Sequence, residues 1–260
     1  MRTVELHHEA VGEERSPPLL LGGSLGTTLA MWEPQVPTLA ARARAIRFDH
    51  RGHGASPVPS GPYAIADLGN DVIALLDRLA IARASYCGLS IGGMVGLWLA
   101  THAPERIDRL VLICTSAHPA SAADYAERAA SVREAGTPEA IADTVVARWF
   151  TPGFAREHPD VVAHHRAMIA ATPAEGYAGC CEAIADLDLR SVLADIRART
   201  LVIAGAEDSA LPPAHGRAIA DAITGARLEV LDHAAHLASV EQAAAVTMLI
   251  ADHLDSREAA

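Results

Sequence analysis

The feature that most constrains the fold of this chain is a regular alternation of short apolar runs with longer helical patterns. Six runs are apolar almost throughout, without the every-second-residue polarity of a half-exposed strand, which is typical of parallel strands buried on both faces. They are "PPLLLG" (17–22), "RAIRFD" (44–49), "RASYCG" (83–88), "RLVLIC" (109–114), "TLVIAG" (200–205) and "ARLEVLD" (226–232). The alternation predicts an α/β fold, in which helices cover both faces of a doubly wound, mostly parallel sheet.

The stretches between these runs predict helices, and one long stretch interrupts the alternation. Apolar residues recur at helical spacing over residues 65–79, and "GGMVGLWLATHAPERI" predicts another helix that ends near Pro104. Residues 117–195 contain helical patterns and prolines but no good strand. We therefore predict a core domain made of residues 1–116 and 196–260, with residues 117–195 inserted as a helical lid, or cap.

Composition and charge exclude several classes of function. The chain has 260 residues and a formal net charge of −11, which argues against nucleic acid as a partner. No apolar run reaches the roughly 18–20 residues of a membrane span, and no hydrophobic signal opens the sequence, so we expect a cytoplasmic protein without membrane contact. The four cysteines and the histidines His50 and His53 do not form a metal-site pattern, so we expect no metal and no cofactor. The sequence does not indicate an oligomeric state.

The heptapeptide "CGLSIGG" (87–93) contains a candidate nucleophile, Ser90. Its G-x-S-x-G pattern alone occurs by chance in roughly one chain in ten of this length. Here, however, it follows a predicted strand and precedes a predicted helix, the context of a sharp turn that lifts a serine hydroxyl above a sheet. Glycines at 88 and 92 let the strand and the helix pass closely. The context therefore favours a catalytic serine.

A catalytic serine needs a base, and the base needs a group that orients it. In this architecture the acid and then the histidine follow later strands. Asp208 comes directly after the run at 200–205, and His236 opens the loop after the last strand. Glu207 should point elsewhere, and His233 belongs to the strand end. Ser90, Asp208 and His236 are thus the predicted catalytic residues.

An oxyanion formed at Ser90 would need two backbone N–H donors. One is expected from Ile91, the residue after the nucleophile. The other should come from the loop after "LLLGG", where Ser24 is the first choice and Leu25 the near alternative.

Blocks spread from about residue 18 to 250 resemble the α/β-hydrolase superfamily and, within it, the 3-oxoadipate enol-lactonases. They are "LLGGSLGTTLAMWEPQVP", "IRFDHRGHGASPVPSGPY", "CGLSIGGMVGLWLA", "ARWFTP", "TPAEGYAGCCEAI" and "LVIAGAEDS". The superfamily commonly has His-Gly before the oxyanion loop, whereas this chain has Gly22-Gly23. This departure bears on which N–H completes the oxyanion hole.

The resemblance implies hydrolysis of a small anionic lactone, 3-oxoadipate enol-lactone, through an acyl-enzyme on Ser90. Because the protein is acidic, the substrate carboxylate needs a local cation. We expect Arg148 to supply it, with Arg133 a weaker candidate, and we expect Leu25 and Trp149 to contact the substrate as well.

Two other functions share parts of this pattern. Another hydrolase on the same scaffold, such as a carboxylesterase or a cofactor-free haloperoxidase (perhydrolase), would use the same triad and differ in the lid. A ligand receptor on this fold would tolerate the loss of triad residues, but all three candidates are present.

Overall fold

The computed structural model describes residues 2–119 and 121–255. Its sheet has seven strands: β1 (His8–Val11), β2 (Pro18–Gly22), β3 (Arg44–Phe48), β4 (Ala84–Leu89), β5 (Ile107–Ile113), β6 (Arg199–Gly205) and β7 (Arg227–Leu231). The strands lie in the order β1-β3-β2-β4-β5-β6-β7. All neighbours pair in parallel except β1, which is antiparallel to β3. The six predicted strands and the α/β fold class are confirmed.

Strand β1 was not predicted from the sequence. Its residues are "HEAV", and most of them are exposed because the strand lies at the edge of the sheet. An edge strand that buries little apolar surface has no apolar run by which it could be recognised.

Helices follow the strands on both sides of the sheet. They are α1 (Val36–Leu39), α2 (Ile65–Arg78), α3 (Ile91–His102), α4 (Ala122–Ala135), α5 (Glu139–Val146), α6 (Pro152–Glu157), α7 (Pro159–Ala171), α8 (Ala174–Ala185), α9 (Pro213–Ala222), α10 (Ala238–Glu241) and α11 (Ala243–Asp255). Short 3₁₀ helices span Leu29–Trp32, Pro104–Arg106 and Arg190–Asp195. The helices predicted over 65–79 and before Pro104 correspond to α2 and α3.

The helices α4 to α8 lie between β5 and β6 in the chain. Prolines begin four of them: Pro152 and Pro159 are the first residues of α6 and α7, while Pro138 and Pro173 cap α5 and α8. Proline suits these positions because the first amides of a helix have no partner within the helix. We call residues 117–195 the lid; the division of the chain into core and lid stays a prediction.

The lid meets the core where two glycine backbones touch. A Cβ added to Gly176 of α8 would lie 2.0 Å from the carbonyl oxygen of Gly52, in the loop after β3. Only glycine permits this approach, since any side chain would collide with backbone. The contact sets α8 directly over the carboxyl edge of the sheet, where parallel strands present their loops.

None of the helices in the described parts of the chain is long and apolar enough to cross a membrane.

Candidate active site

Ser90 lies at a strained turn between β4 and α3. Its backbone has φ 57° and ψ −119°, a conformation that a residue with a side chain rarely adopts. A Cβ on Gly88 would lie 2.2 Å from the carbonyl oxygen of Gly92, and one on Gly92 would lie 2.3 Å from that of Gly22. The glycines of the motif are therefore required by the close passage of strand, turn and helix. This turn holds the Ser90 hydroxyl at the carboxyl edge of the sheet.

The structure brings the three predicted catalytic side chains together. His236 Nε2 lies 3.0 Å from Ser90 Oγ, and His236 Nδ1 lies 2.8 Å from Asp208 Oδ2. A carboxylate only accepts hydrogen bonds, so Nδ1 carries the proton and Nε2 offers its lone pair to the serine hydroxyl. All three residues are buried. The arrangement can transfer a proton from the serine to the imidazole.

Asp208 is fixed by the turn that follows β6. Its second carboxylate oxygen, Oδ1, accepts hydrogen bonds from the amides of Ala210 (2.8 Å) and Leu211 (2.9 Å). These bonds leave Oδ2 directed at the histidine. Glu207, the neighbouring acid, lies near His233 instead, with 3.7 Å between Glu207 Oε1 and His233 Nδ1. Asp208 is thus the acid that contacts His236.

Two backbone segments border Ser90 where an oxyanion would form. Ile91 is the first residue of α3, and first-turn amides have no acceptor within their own helix. In the loop after β2, the Ser24 amide points to the sulfur of Met31 at 3.3 Å. Among the described residues no acceptor is recorded for the Leu25 amide, and both Ser24 and Leu25 line the cavity beside Ser90.

The segment "DHRGHGAS" holds this loop in place. Asp49 accepts a hydrogen bond from the Leu29 amide at 2.7 Å, and His53 Nε2 accepts one from the Gly26 amide at 2.9 Å. His50 Nε2 donates to the Gly23 carbonyl at 3.2 Å. Burial lowers the pKa of His50 to about 3 and also lowers that of His53, so both rings are neutral. The two histidines, considered above as metal ligands, thus fasten the loop beside the nucleophile.

A narrow cavity opens onto Ser90 and His236, and the lid supplies most of its lining. Water-sized molecules have about 60 Å³ in which to place their centres. The described residues that line it are Ser24, Leu25, Ser90, Tyr125, Arg128, Thr144, Val145, Arg148, Trp149, Tyr177, Ile184, Ala210 and His236. They include two arginines but no aspartate or glutamate. The cavity is therefore suited to an anion, although the protein carries a net charge of −11.

The two arginines proposed from the sequence differ in their placement. Arg148 lines the cavity, but it is exposed and donates to the Ser209 carbonyl at 2.8 Å. Arg133 is bound by the carboxylates of Glu175 and Glu182 and is absent from the described lining. Trp149 is buried and lies in the cavity wall.

The sequence interpretation overlooked a third arginine. Arg128 of α4 lines the cavity, and its guanidinium stacks 5.3 Å from the centre of the Tyr125 ring. No ion pair is recorded for it among the described residues. The neighbouring Tyr177 hydroxyl is buried beside Arg128, and burial raises its pKa although the charge of Arg128 opposes this shift. The sequence did contain a signal for Arg128: the segment "YAER" (125–128) places it one helical turn after Tyr125, so the two side chains lie on the same face of the helix.

Comparison with known proteins places this geometry in a family. Residues 17–243 match the family described as alpha/beta hydrolase fold. The chain is 45% identical to 3-oxoadipate enol-lactonase 2 of Acinetobacter baylyi over 92% of this chain and 89% of that protein.

Solved structures of other hydrolases are similar to this chain along most of its length. The enol-lactonase from Burkholderia xenovorans LB400 has a TM-score of 0.95 at 44% identity, covering 97% of each chain. A thermophilic esterase from Thermogutta terrifontis, with malate bound, has a TM-score of 0.91 at 31% identity, covering 96% of this chain and 93% of that one.

Proposed function

Because the chain belongs to the α/β-hydrolase family and is similar to 3-oxoadipate enol-lactonases within it, we propose that it hydrolyses 3-oxoadipate enol-lactone to 3-oxoadipate. One observation carries the proposal beyond the similarity itself. The hydrogen-bonded series Ser90–His236–Asp208 opens onto a cavity whose lining contains arginines and no carboxylate. A hydrolytic group next to an anion-binding wall fits an ester or lactone that carries a carboxylate.

The proposed reaction begins with attack of Ser90 Oγ on the lactone carbonyl carbon. His236 Nε2 takes the serine proton, and the Asp208 carboxylate stabilises the imidazolium that results. When the ring C–O bond breaks, the enol oxygen leaves as part of the same molecule, with a proton from His236. It stays attached through the carbon chain of the acyl-enzyme.

Water then completes the turnover. His236 removes a proton from a water molecule, the hydroxide attacks the acyl carbon, and Ser90 leaves with the proton that His236 returns. The net change is the addition of one water molecule. The product has a second carboxylate, and its enol becomes the 3-oxo group.

The oxyanion of both steps would be held by two amides. Ile91 is the first, as the sequence indicated. For the second, the contacts favour Leu25 over Ser24, because the Ser24 amide already faces the Met31 sulfur. Loss of one such donor costs about 2.7–4 kcal/mol of transition-state stabilisation.

The substrate carboxylate would bind Arg128 and the Tyr177 hydroxyl. The Tyr177 hydroxyl and the half-buried Arg128 guanidinium both border the cavity, and both can donate a hydrogen bond to a carboxylate. Arg148 remains a second candidate at the outer part of the wall, and Trp149 would pack against the lactone ring.

The test is the rate of loss of the enol-lactone, followed by ultraviolet absorbance, beside that of p-nitrophenyl acetate, a neutral ester. We expect kcat/KM for the lactone to exceed that for the ester by several powers of ten. Turnover of the ester alone would refute the lactone as substrate and favour a carboxylesterase; the similar Thermogutta terrifontis protein is an esterase. No turnover of either, in a folded protein, would refute a hydrolase at this site.

A further inference from the structure

The backbone amides on both sides of His236 donate hydrogen bonds to groups that link the His236 loop to the lid segment 149–151. The amide of Leu237, the residue after the histidine, donates to the carbonyl of Trp149 at 2.9 Å. The amide of Ala235, the residue before it, donates to Glu241 Oε2 at 2.8 Å. Both amides belong to buried residues, where water cannot replace these acceptors.

The other oxygen of Glu241 binds the lid. Oε1 accepts hydrogen bonds from the Thr151 amide at 3.0 Å and from the Thr151 hydroxyl at 2.5 Å. One carboxylate therefore joins the histidine loop to Thr151, the residue that caps the start of α6. Charge-assisted bonds of this kind are stronger than bonds between neutral groups.

We propose that Glu241 is a positioning residue, which fixes the His236 loop against the lid segment 149–151. The proposal rests on the proposed function, in which His236 is the base. Trp149 of the same segment lines the cavity, so the residue that faces the substrate and the histidine that activates Ser90 are held by a single set of hydrogen bonds. The lid thus takes part in aligning the triad.

The consequence for catalysis follows from distance. His236 Nε2 lies 3.0 Å from Ser90 Oγ, and a displacement of about 1 Å can cost on the order of 10²-fold in rate. Without Glu241, the Ala235 amide would lose its acceptor, and the carboxylate connection from the loop to Thr151 would be lost. The loss should appear in kcat for every substrate, because it concerns the proton transfer and not the recognition of a carboxylate.

The experiment compares Glu241→Gln with two matched controls. Glutamine keeps the size but turns an N–H donor toward either Ala235 or Thr151. Thr151→Ser keeps the hydroxyl that binds Glu241. Glu105→Gln makes the same change at an exposed glutamate of the segment Pro104–Arg106. Each variant is assayed for kcat and KM on the lactone and on p-nitrophenyl acetate, and for its rate of labelling by an uncharged fluorophosphonate.

We expect Glu241→Gln to lower kcat on both substrates and the labelling rate by about 10- to 100-fold, with KM nearly unchanged. The two controls should stay within about threefold of the wild type. Thr151→Val should give a smaller loss, and adding it to Glu241→Gln should add little, since both act through one connection.

The inference is overturned if Glu241→Gln keeps wild-type kcat and labelling, or if its loss is confined to KM for the lactone. Should Glu241→Gln fail to fold, the comparison of Thr151→Val with Thr151→Ser decides in its place. Labelling and ester turnover do not involve the lactone. If the wild-type protein is labelled by the fluorophosphonate and hydrolyses p-nitrophenyl acetate but leaves the lactone intact, the lactone is refuted as substrate. The role of Glu241 can still be tested with the label and the ester.

Discussion

Replacing Arg128 by methionine tests how the cavity selects its substrate. Methionine retains an apolar stem of similar length next to Tyr125 and removes only the charge and its donors. A hydrogen bond to a charged group contributes about 1.5–3 kcal/mol, and each 1.4 kcal/mol is a factor of ten. We therefore expect kcat/KM for the lactone to fall by about 10- to 150-fold.

The same estimate follows from Coulomb's law. Two unit charges about 4 Å apart attract by about 4 kcal/mol at an effective dielectric constant of 20. Desolvation of both ions reduces this attraction, so the net contribution falls toward the value of about 1.5–3 kcal/mol given above. Because the carboxylate is bound in the ground state as well as in the transition state, most of the loss should appear in KM.

The assay is ultraviolet absorbance for the lactone and p-nitrophenol release for the neutral ester, with Arg148→Met as the matched variant. The ester should lose less than about threefold in either variant, since it has no carboxylate to lose a hydrogen bond. Equal losses on lactone and ester would refute an anion-binding role for Arg128. A larger, lactone-specific loss in Arg148→Met would assign the carboxylate to Arg148, as the sequence suggested.

Three further changes test the site and the fold. Ser90→Ala should lower kcat by about 10⁵- to 10⁶-fold in a protein whose circular dichroism is unchanged, and a smaller loss would contradict the nucleophile. Asp71→Asn should reduce the free energy of unfolding in urea by about 3 kcal/mol, because Asp71 contacts the fully buried guanidinium of Arg51 at 2.6 Å; a change below about 1 kcal/mol would contradict this. The folded-state pKa of His50, about 3, lies below its unfolded value of 6.5, so protons favour the unfolded chain as the pH falls from 6.5 toward 3. Between pH 7 and 5 the wild type should lose about 2 kcal/mol more unfolding free energy than His50→Asn, and parallel pH curves would refute the assignment.

The three predicted catalytic residues could be located from the sequence because each of them is placed by a strand. Ser90, Asp208 and His236 follow β4, β6 and β7, and parallel strands bring their carboxyl ends to one edge. The apolar runs locate the strands, so they also locate the residues that come after them. The choice between Ser24 and Leu25 could not be made in this way, since it depends on where Met31 folds back onto the loop.

The residues that the sequence did not reveal are those placed by helix packing. Arg128 reaches the cavity because α4 packs against α8, which carries Tyr177, and no strand fixes that arrangement. Glu241 is six residues from Ala235 but 90 from Thr151, and only the folded chain shows that it binds both. Arg148, expected from the sequence to bind the substrate carboxylate, lines the cavity, but its contact with Ser209 was not foreseeable from its neighbours in sequence.

In the proposed enzyme, the residues placed by strands and those placed by helix packing have different roles. The sheet edge fixes the chemistry of bond breaking, which does not depend on the substrate beyond its carbonyl group. The lid contributes Arg128, Arg148, Tyr177 and Trp149 to the cavity wall, and the proposed recognition of an anion depends on them. The net charge of −11 repels anions at long range, but this repulsion is screened over about 10 Å in 0.1 M salt, whereas a guanidinium in the cavity acts at contact distance. In the function proposed here, selection of a carboxylate by this acidic protein would therefore come from residues 117–195, and the hydrogen bonds of Glu241 would connect that selection to His236, the proposed base.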